Sequence, residues 1–495
     1  MYLFQGLRKV KYNEVILVGS GIGSLSTACL LAKSGKKVLV IEQNYLPGGC
    51  VSSYWRKGFV FEAGATTLVG LDKGQPLRYL LDTLGIDINA RKLTHPMQVR
   101  LRNGRIVNRH ENIEDWINEA KAEFGYDGQE EFWRLCYDIS RFVWDVSIKQ
   151  RTFPISNIKD LTNCILNASP KQLWNARWAF KSIQDLVIDF GLHYNDDFVD
   201  FINAQLLITA QNTMENVNVL FGATALCYTN YGNYYLDGGL ISLSNRLIDY
   251  LKNHNGDIHF REKVENIHLE ADKKYQIKTS KDEYKADFVV SGVPLNNTLQ
   301  IFDGTLPKRL NEKLMISEQL NSAFQMGIGF KKKKHFDTIH YQIHLQKPLE
   351  GIGARTLFVS LNHPDDTTRC DDKDTMVASV STHWPDPDKN IDFDKSKREQ
   401  HVIDKLVKHK FFSKEDIVYT HSSTPEAWEK WTGREYGFVG GYPQFMNIKP
   451  WQMADARLDK YKAYQVGDSV YPGQGIPGVA LSGIIAFEKL KMDWM

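Results

Sequence analysis

Gly19, Gly21 and Gly23 fall within the stretch Gly-Ser-Gly-Ile-Gly, Ser24 follows, and Glu42 stands roughly 20 residues further on. Each residue type has a chemical use at that spacing. Gly19 permits a tight turn. Gly21 lacks a Cβ, so a diphosphate can approach the backbone. The free N–H groups at a helix start would then face the anion. Glu42 can accept hydrogen bonds from a ribose diol. The third glycine of G-x-G-x-x-G serves close helix–strand packing, and Ser24, nearly as small, occupies that position beside Gly23. Ser20 and Gln43 flank the turn and the acid and complete this candidate set. Together these residues predict a dinucleotide site.

Those residues need particular elements to hold them. The apolar run Val15–Val18 is short enough for a buried parallel strand. Ile22, Leu25, Ala28, Cys29 and Ala32 share one face of a helix. Gly35 sits where a helix end favours a left-handed residue, and Val38–Ile41 gives a second strand ending on Glu42. A second signal lies at the other end of the chain. There an apolar approach ends in Gly467-Asp468, a Pro-Gly loop follows, and a helix is predicted from about Ile476 to Leu490. Asp468 can hydrogen-bond a polyol, and a helix start offers a positive dipole end.

Bulk numbers restrict the function class. At 495 residues two or more domains are expected. The chain is 42% hydrophobic and 24% charged with a formal net charge of +2, which makes no case for a nucleic-acid partner. Aromatics at 12% suit either a large apolar cavity or simply a large core. Six cysteines (Cys29, Cys50, Cys136, Cys164, Cys227, Cys370) show no C-x-x-C spacing, which points to a reducing compartment and to neither disulfides nor zinc. No run reaches the ~18 apolar residues of a membrane span. The opening MYLFQGLRKVKYNE lacks the apolar core of a signal peptide. The expectation is a cytoplasmic protein, peripheral on a membrane in one version of it.

Between the two ends the texture changes twice. Pro47-Gly48-Gly49-Cys50 must be a loop with unusual backbone angles, and Phe59–Leu68 reads as a strand running into another glycine turn. Residues 76–230 read as mainly helical. Phe132, Cys136, Ile139 and Phe142-Val143 form an aromatic stripe, as do Ile183, Leu186, Val187 and Phe190, and Phe198 and Phe201 repeat the spacing; such stripes favour core. Alternation between Met97 and Val107 predicts a hairpin over Asn103-Gly104. Residues 231–297 return to α/β texture, 298–455 are β-rich, and 456–495 carry the terminal signal. Lys331–Lys334 is expected to be a solvated turn, with membrane-surface contact as the alternative. On a strand, His340, Gln342 and His344 would form a solvated polar face.

Three blocks together resemble a known family: GSGIGSL, PGGCVSSYWRKGFVFEAGATTLVG and VGDSVYPGQGIPGVALSG. They are similar to the carotenoid isomerase, phytoene desaturase and retinol saturase group of the FAD-dependent amine-oxidase-like superfamily. YYLDGGLISLSNRL also resembles an internal family segment, with Leu236 where proline is usual. The resemblance implies an α/β fold: a Rossmann-like FAD-binding domain built from 1–75, 231–297 and 456–495. A helical lid region (76–230) and a substrate domain with an antiparallel sheet (298–455) form the inserted α+β part. It implies FAD with Gly19, Gly21 and Gly23 at the pyrophosphate and Glu42 on the ribose. Gly48 and Gly49 would line the flavin approach, with Thr66 and Thr67 nearby. Val264 would meet the adenine through its backbone, and Gly467, Asp468, Gly475 and Ile476 would lie on the flavin side. Glu62, Arg434 and Tyr436 are candidate substrate residues, in segments that the family places toward the flavin or substrate. Two departures stand out: Cys50 where many members carry arginine, and Glu62 where aspartate is usual.

A flavin accepts or donates hydride at N5 while the protein supplies orientation and electrostatics. The expected substrate is an apolar polyene in a long apolar tunnel, with isomerisation or desaturation as the reaction. The alternatives are saturation or double-bond isomerisation of a fatty acid, retinoid or other lipid, and a non-catalytic prenyl-lipid binding protein. No second G-x-G-x-x-G was found for NAD(P)H, so a separate electron donor or acceptor is expected. The sequence nominates no catalytic acid or base and no metal site.

Overall fold

The computed structural model describes residues 10–389 and 393–495. Most of the opening stretch read for a signal peptide, residues 1–9, lies outside them. Two mixed sheets organise the chain. The first has strands β1 (Lys11–Val18), β2 (Val38–Ile41), β3 (Gly256–His259), β4 (Val264–Leu269), β5 (Tyr275–Thr279), β6 (Glu283–Ser291) and β7 (Ala463–Gln465). Their order is β3-β2-β1-β6-β5-β4, with β7 added to the C-terminal half of β6. β3, β2, β1, β6 and β7 run parallel; β5 pairs antiparallel to β6, and β4 antiparallel to β5. Val15↔Val38 and Val18↔Ser291 fix the register, so the C-terminal ends of the parallel strands share one edge. The turns at that edge carry the predicted glycines.

Helix α1 (Ile22–Lys33) makes the right-handed return expected between β1 and β2. Gly35 takes φ +88° just past its end. The sequence suggested one apolar face, but α1 is buried from Ile22 to Ala32 on every side. The reason is a second layer: the C-terminal helix Ile476–Trp494 and the helix Ile241–Lys252 both pack on it. The close approach is made by small residues. A Cβ on Gly23 would lie 3.0 Å from Gly467 N and 3.2 Å from Val479 O, and Thr27 donates to Gly483 O at 3.0 Å. Ser24 is accommodated because Gly292 lies opposite it, where any Cβ would strike the Ser24 hydroxyl.

The second sheet is ordered 417–423, 321–331, 375–385, 356–361, 340–344, 97–100, 106–109. The predicted hairpin exists, with Arg100 opposite Ile106 and Gly104 at φ +90°, and it joins this sheet by pairing parallel to His340–His344. One face packs Met326, Ile328, Tyr341, Ile343 and Val380 against Val402 and Leu406 of the helix Lys395–Lys408. The other face carries Gln325, Phe358 and His383 toward a cavity. Helices Gln129–Lys149, Asp196–Ala210 and Val219–Leu226 build a separate core that buries Phe132, Cys136, Ile139, Ile183, Leu186, Val187, Phe198 and Phe201 of the predicted stripes, while Phe142, Val143 and Phe190 are half-buried; Trp116 stands edge-on to Trp133 at 4.9 Å.

The solvated face expected for His340, Gln342 and His344 is wrong: all three are buried. The helix Asp196–Ala210 covers Gln342, and Thr67 and Ser360 meet His340. Gln342 Oε1 accepts from Gln205 Nε2 at 2.7 Å, and Gln342 Nε2 donates to Ala204 O at 3.0 Å. A polar strand face can be interior when another element supplies its hydrogen bonds. The strand Ile417–Ser423 and the helix Pro425–Thr432 had no counterpart in the sequence reading. Lys331–Lys334 is exposed, as expected for a turn.

Candidate active site

The edge of the first sheet opens into a cleft lined by Gly19, Ser20, Gly21, Gly23, Ser24, Glu42, Gln43, Gly48, Gly49, Val264, Gly467 and Asp468. Its shape is set by backbone. Gly19 (φ +84°) and Gly467 (φ +110°) adopt the left-handed region that favours glycine. A Cβ built on Gly21 meets no protein atom within 4 Å, so the space beside it belongs to the cleft. The Gly48-Gly49 turn lies over the first glycine turn; Gly48 N donates to Ser20 O at 3.0 Å. Glu42 is fixed at the end of β2. Its Oε2 accepts from Ser20 N and Oγ at 2.8 and 2.7 Å, and its Oε1 from Asn44 N at 2.8 Å. A carboxylate has about four acceptor positions, so room for a diol is left. Helix α1 starts at Gly21 with no side-chain cap and no acid in its first turn, leaving its N–H groups for an anion.

Three buried polar groups lining this cleft have no partner in the protein: the Ser24 and Ser52 hydroxyls and Arg434 Nη1. The other arm of Arg434 donates to Asp468 Oδ2 at 2.6 Å. Burial alone would pull the guanidinium down; Asp468 beside it more than reverses this and holds it above its usual value. An unpartnered guanidinium N–H, a free helix start and a Cβ-free wall fit the diphosphate of FAD.

A second cavity of about 430 Å³ adjoins the cleft. Cys50, Val51, Asp468 and Val479 line both. Its walls are largely apolar: Val143, Trp144, Ile208, Phe221, Tyr228 and Phe358 from the helices and the second sheet. Gly475 and Ile476 add the start of the C-terminal helix. Thr66 and Thr67 add a polar patch that is tied down from behind. Ser360 Oγ donates to Thr66 Oγ1 at 2.8 Å, His340 Nδ1 lies 2.9 Å from Ser360 Oγ, and His340 Nε2 lies 3.0 Å from Thr67 Oγ1. That chain suits a neutral imidazole with its proton on Nδ1, and burial lowers His340 to about 3. Burial likewise lowers His383, on the cavity wall, to about 4, and pushes the Cys50 thiol up.

The model of the flavin containing amine oxidoreductase family matches residues 25–487. The chain belongs to that family. The cofactor is therefore FAD, and the fold is its α/β FAD-binding fold. Among relatives, a chloroplastic prolycopene isomerase of Daucus carota is 23% identical over 99% of this chain and 81% of its own length. An all-trans-retinol 13,14-reductase of Danio rerio is 28% identical over 63% of this chain and 52% of its own. Among solved structures, a redesigned putrescine oxidase has a TM-score of 0.65 at 16% identity, covering 98% of this chain and all of that one. The resemblance to the carotenoid and retinol group of this superfamily thus holds.

Within this family member the three candidate substrate residues separate. Arg434 borders the cofactor cleft, paired to Asp468. Glu62 does not line the central cavity. It is buried against Arg369 Nη1 at 2.8 Å, accepts from Ser53 Oγ at 2.6 Å, and braces Leu240 N. Tyr436 lines neither space and packs, at φ +63°, beside the core under the first sheet. The 431–444 loop is shared: Trp431 to Arg434 face the cleft, Val439, Gly440 and Gln444 the cavity. Sequence reasoning missed Trp144, Phe221, Tyr228, Phe358 and His383. Their only signal was aromatic periodicity, which core packing explains equally well. Among the described residues no cluster of three His, Cys, Asp or Glu could hold a metal.

Proposed function

We propose that this oxidoreductase acts on a carotenoid-like polyene, isomerising cis and trans double bonds or desaturating C–C bonds at the flavin. One observation carries the reading. The cavity that meets the cofactor cleft is walled by aromatic and aliphatic side chains, and the carboxylate on its lining, Asp468, is already committed to Arg434. An amine would need an anionic partner there; a hydrocarbon would not. The names of the relatives point to the same substrate class.

FAD, when bound, exchanges hydride at its N5. The protein's own part is positional. Gly19, Gly21, Gly23 and the start of α1 hold the diphosphate, with Ser20 setting Glu42 for the ribose. Ser24 and Gln43 would border them, and Val264, on the cleft lining, would meet the adenine through its backbone. Gly48, Gly49, Gly467 and Asp468 border the flavin. The first turn of the C-terminal helix, from Gly475 and Ile476, favours negative charge on the ring. Thr66 and Thr67 orient the reacting segment, and the apolar walls exclude water. The neutral state of His383 fits a reaction that moves hydride without a charged acid on the cavity wall. Electrons enter or leave through a separate donor or acceptor.

A second reading, saturation of a retinoid or other lipid, is favoured by the retinol reductase relative. Product analysis tests both. Holo-protein with reduced flavin is incubated anaerobically with a cis-carotenoid in micelles, and with oxidised flavin and a partly saturated polyene. Chromatography should show a new isomer or a more conjugated product. A less conjugated product selects saturation, and no product from any polyene overturns the reading.

A further inference from the structure

The chain leaves the cavity wall along the helix Gln129–Lys149 and enters a segment that is packed inside out. In the helix Ile158–Leu166 the apolar positions point to solvent: Ile158 is 78% exposed, Ile165 64% and Leu166 79%. The polar side faces inward. Asp160 is fully buried and takes Arg457 Nη1 at 2.7 Å and Nη2 at 3.0 Å, with Lys489 3.4 Å away. This ion cluster fixes the helix by its charged face and leaves its apolar face outward. The apolar surface continues beyond the helix. Trp174 is 67% exposed and Phe180 65%, and the Phe180 ring packs 5.6 Å from the half-exposed Trp451. So many large apolar side chains exposed along one short stretch of chain mark an interaction site.

We propose that this surface, carried by Ile158, Ile165, Leu166, Trp174 and Phe180 with Trp451, is a seat that dips into a lipid bilayer bearing anionic headgroups. Charge selects that occupant. Lys159 lies in the first turn of the helix, Arg177 lies over the Trp174 ring at 3.9 Å, and Lys449 over the Phe180 ring at 5.0 Å. Among the described residues none of the three pairs with a carboxylate. Asp160, the one carboxylate in the sequence from 155 to 181, is turned inward. Tryptophan, aliphatic side chains and unpaired cations on one surface are the composition of an interfacial helix. A second copy of the chain would bring like charges together across the contact. No helix among the described residues is long and apolar enough to cross the membrane, so the segment lies in the interface. The chain that leads into it passes the cavity: Phe153, five residues before Ile158, stands edge-on to Tyr471 at 4.8 Å, and Tyr471 is part of the cavity wall. A membrane-dissolved substrate would then reach the cavity without entering water. That last step rests on the apolar-substrate reading; the seat itself does not.

The test is vesicle co-sedimentation of the flavin-loaded full chain without substrate, using phosphatidylcholine alone against phosphatidylcholine mixed with phosphatidylglycerol. The wild type should pellet with the mixed vesicles. Ile158→Glu/Ile165→Glu should weaken binding about tenfold or more, and Arg177→Glu/Lys449→Glu should abolish the preference for the anionic lipid. Flavin absorbance and unfolding midpoint should match the wild type, since every substituted side chain lies at the surface. Should the double glutamate variant lose its flavin, Leu166→Ser at the most exposed position replaces it. A wild type that stays in the supernatant, a helix variant that binds undiminished, or a stable dimer indifferent to lipid overturns the seat. Turnover in detergent micelles, measured separately, judges the polyene reading on its own.

Discussion

The cofactor cleft and the adjoining cavity meet at Cys50, Val51, Asp468 and Val479, yet they are made of opposite materials. The cleft is walled by main chain, glycines and short polar residues brought together by parallel strands. The cavity is walled by bulky side chains from helices 129–149, 196–210 and 219–226 and from a second sheet. A ligand gripped by backbone depends on the absence of side chains, so a single added carbon is felt. A ligand caged by side chains depends on volume and can be re-shaped by compensating changes. The largest expected effect sits at Gly21. Its φ of −62° suits any residue and its Cβ position is open, so Gly21→Val should fold normally and fill the cleft. Losing two charge-assisted hydrogen bonds at ~1.5–3 kcal/mol each predicts more than a roughly hundredfold loss of flavin affinity. The stability of the flavin-stripped protein should stay within ~0.5 kcal/mol. Flavin titration and denaturant unfolding measure the two; a yellow Gly21→Val protein would break the cleft side of the comparison.

Where the two spaces join, a buried ion pair replaces bare backbone. Arg434→Ala leaves the Asp468 carboxylate buried without its cation and should cost ~3–5 kcal/mol in unfolding free energy. Arg434→Ala/Asp468→Ala removes both charges and should cost clearly less than the single change. Equal costs would mean that the pair is not coupled. A smaller effect belongs to packing behind the glycine turn. Gly292→Ala forces a Cβ onto Ser24 Oγ and should cost ~1–3 kcal/mol, and Ser24→Gly in the same chain should restore most of it. Failure of that rescue would show that Gly292 is needed for backbone reasons alone.

This contrast also explains which parts were readable from sequence. Backbone sites leave a local trace, because the residues that make them lie within a few positions of each other: Gly19 to Ser24, Gly48-Gly49, Gly467-Asp468. The α/β class and the strand Val15–Val18 followed from the same local logic. The cavity wall leaves no such trace. Trp144 and Phe358 lie far apart in sequence and meet only through tertiary packing, and aromatic spacing is identical for core and pocket. The buried strand His340–His344 misled for a related reason. Alternation tells which residues share a face, while what covers the face is decided by a helix that lies well over a hundred residues earlier. The position of Glu62 was not legible because its motif speaks of the family, whereas its partners Arg369 and Ser53 are particular to the packed chain.

The smallest effect is a pH dependence of stability carried by histidines on the cavity side. His340 is buried and neutral behind Thr66 and Thr67, lowered to about 3 against an ordinary value near 6.5. Because the folded value is depressed, the unfolded chain takes up a proton as pH falls through ~6.5 while the folded chain does not. Stability is therefore complete above that point and is lost at ~1.4 kcal/mol per pH unit for this side chain down to about 3. His344, His383 and His421, each lowered by burial to about 4, add to the wild-type slope. His340→Gln should unfold more easily near neutral pH, where its weaker hydrogen bonds to Thr67 and Ser360 count. It should show a shallower slope on acidification, by one histidine's share. Denaturant midpoints across the range from ~7.5 to ~5 read the difference. The cleft-lining residues include no histidine. Because folded His340 stays neutral down to about 3, mild acid should thin the folded population as a whole and leave the Thr66–Thr67 wall of the remaining folded chains intact. Turnover per flavin-loaded molecule that falls between pH ~7.5 and ~5 would mean that the cavity wall loosens on its own.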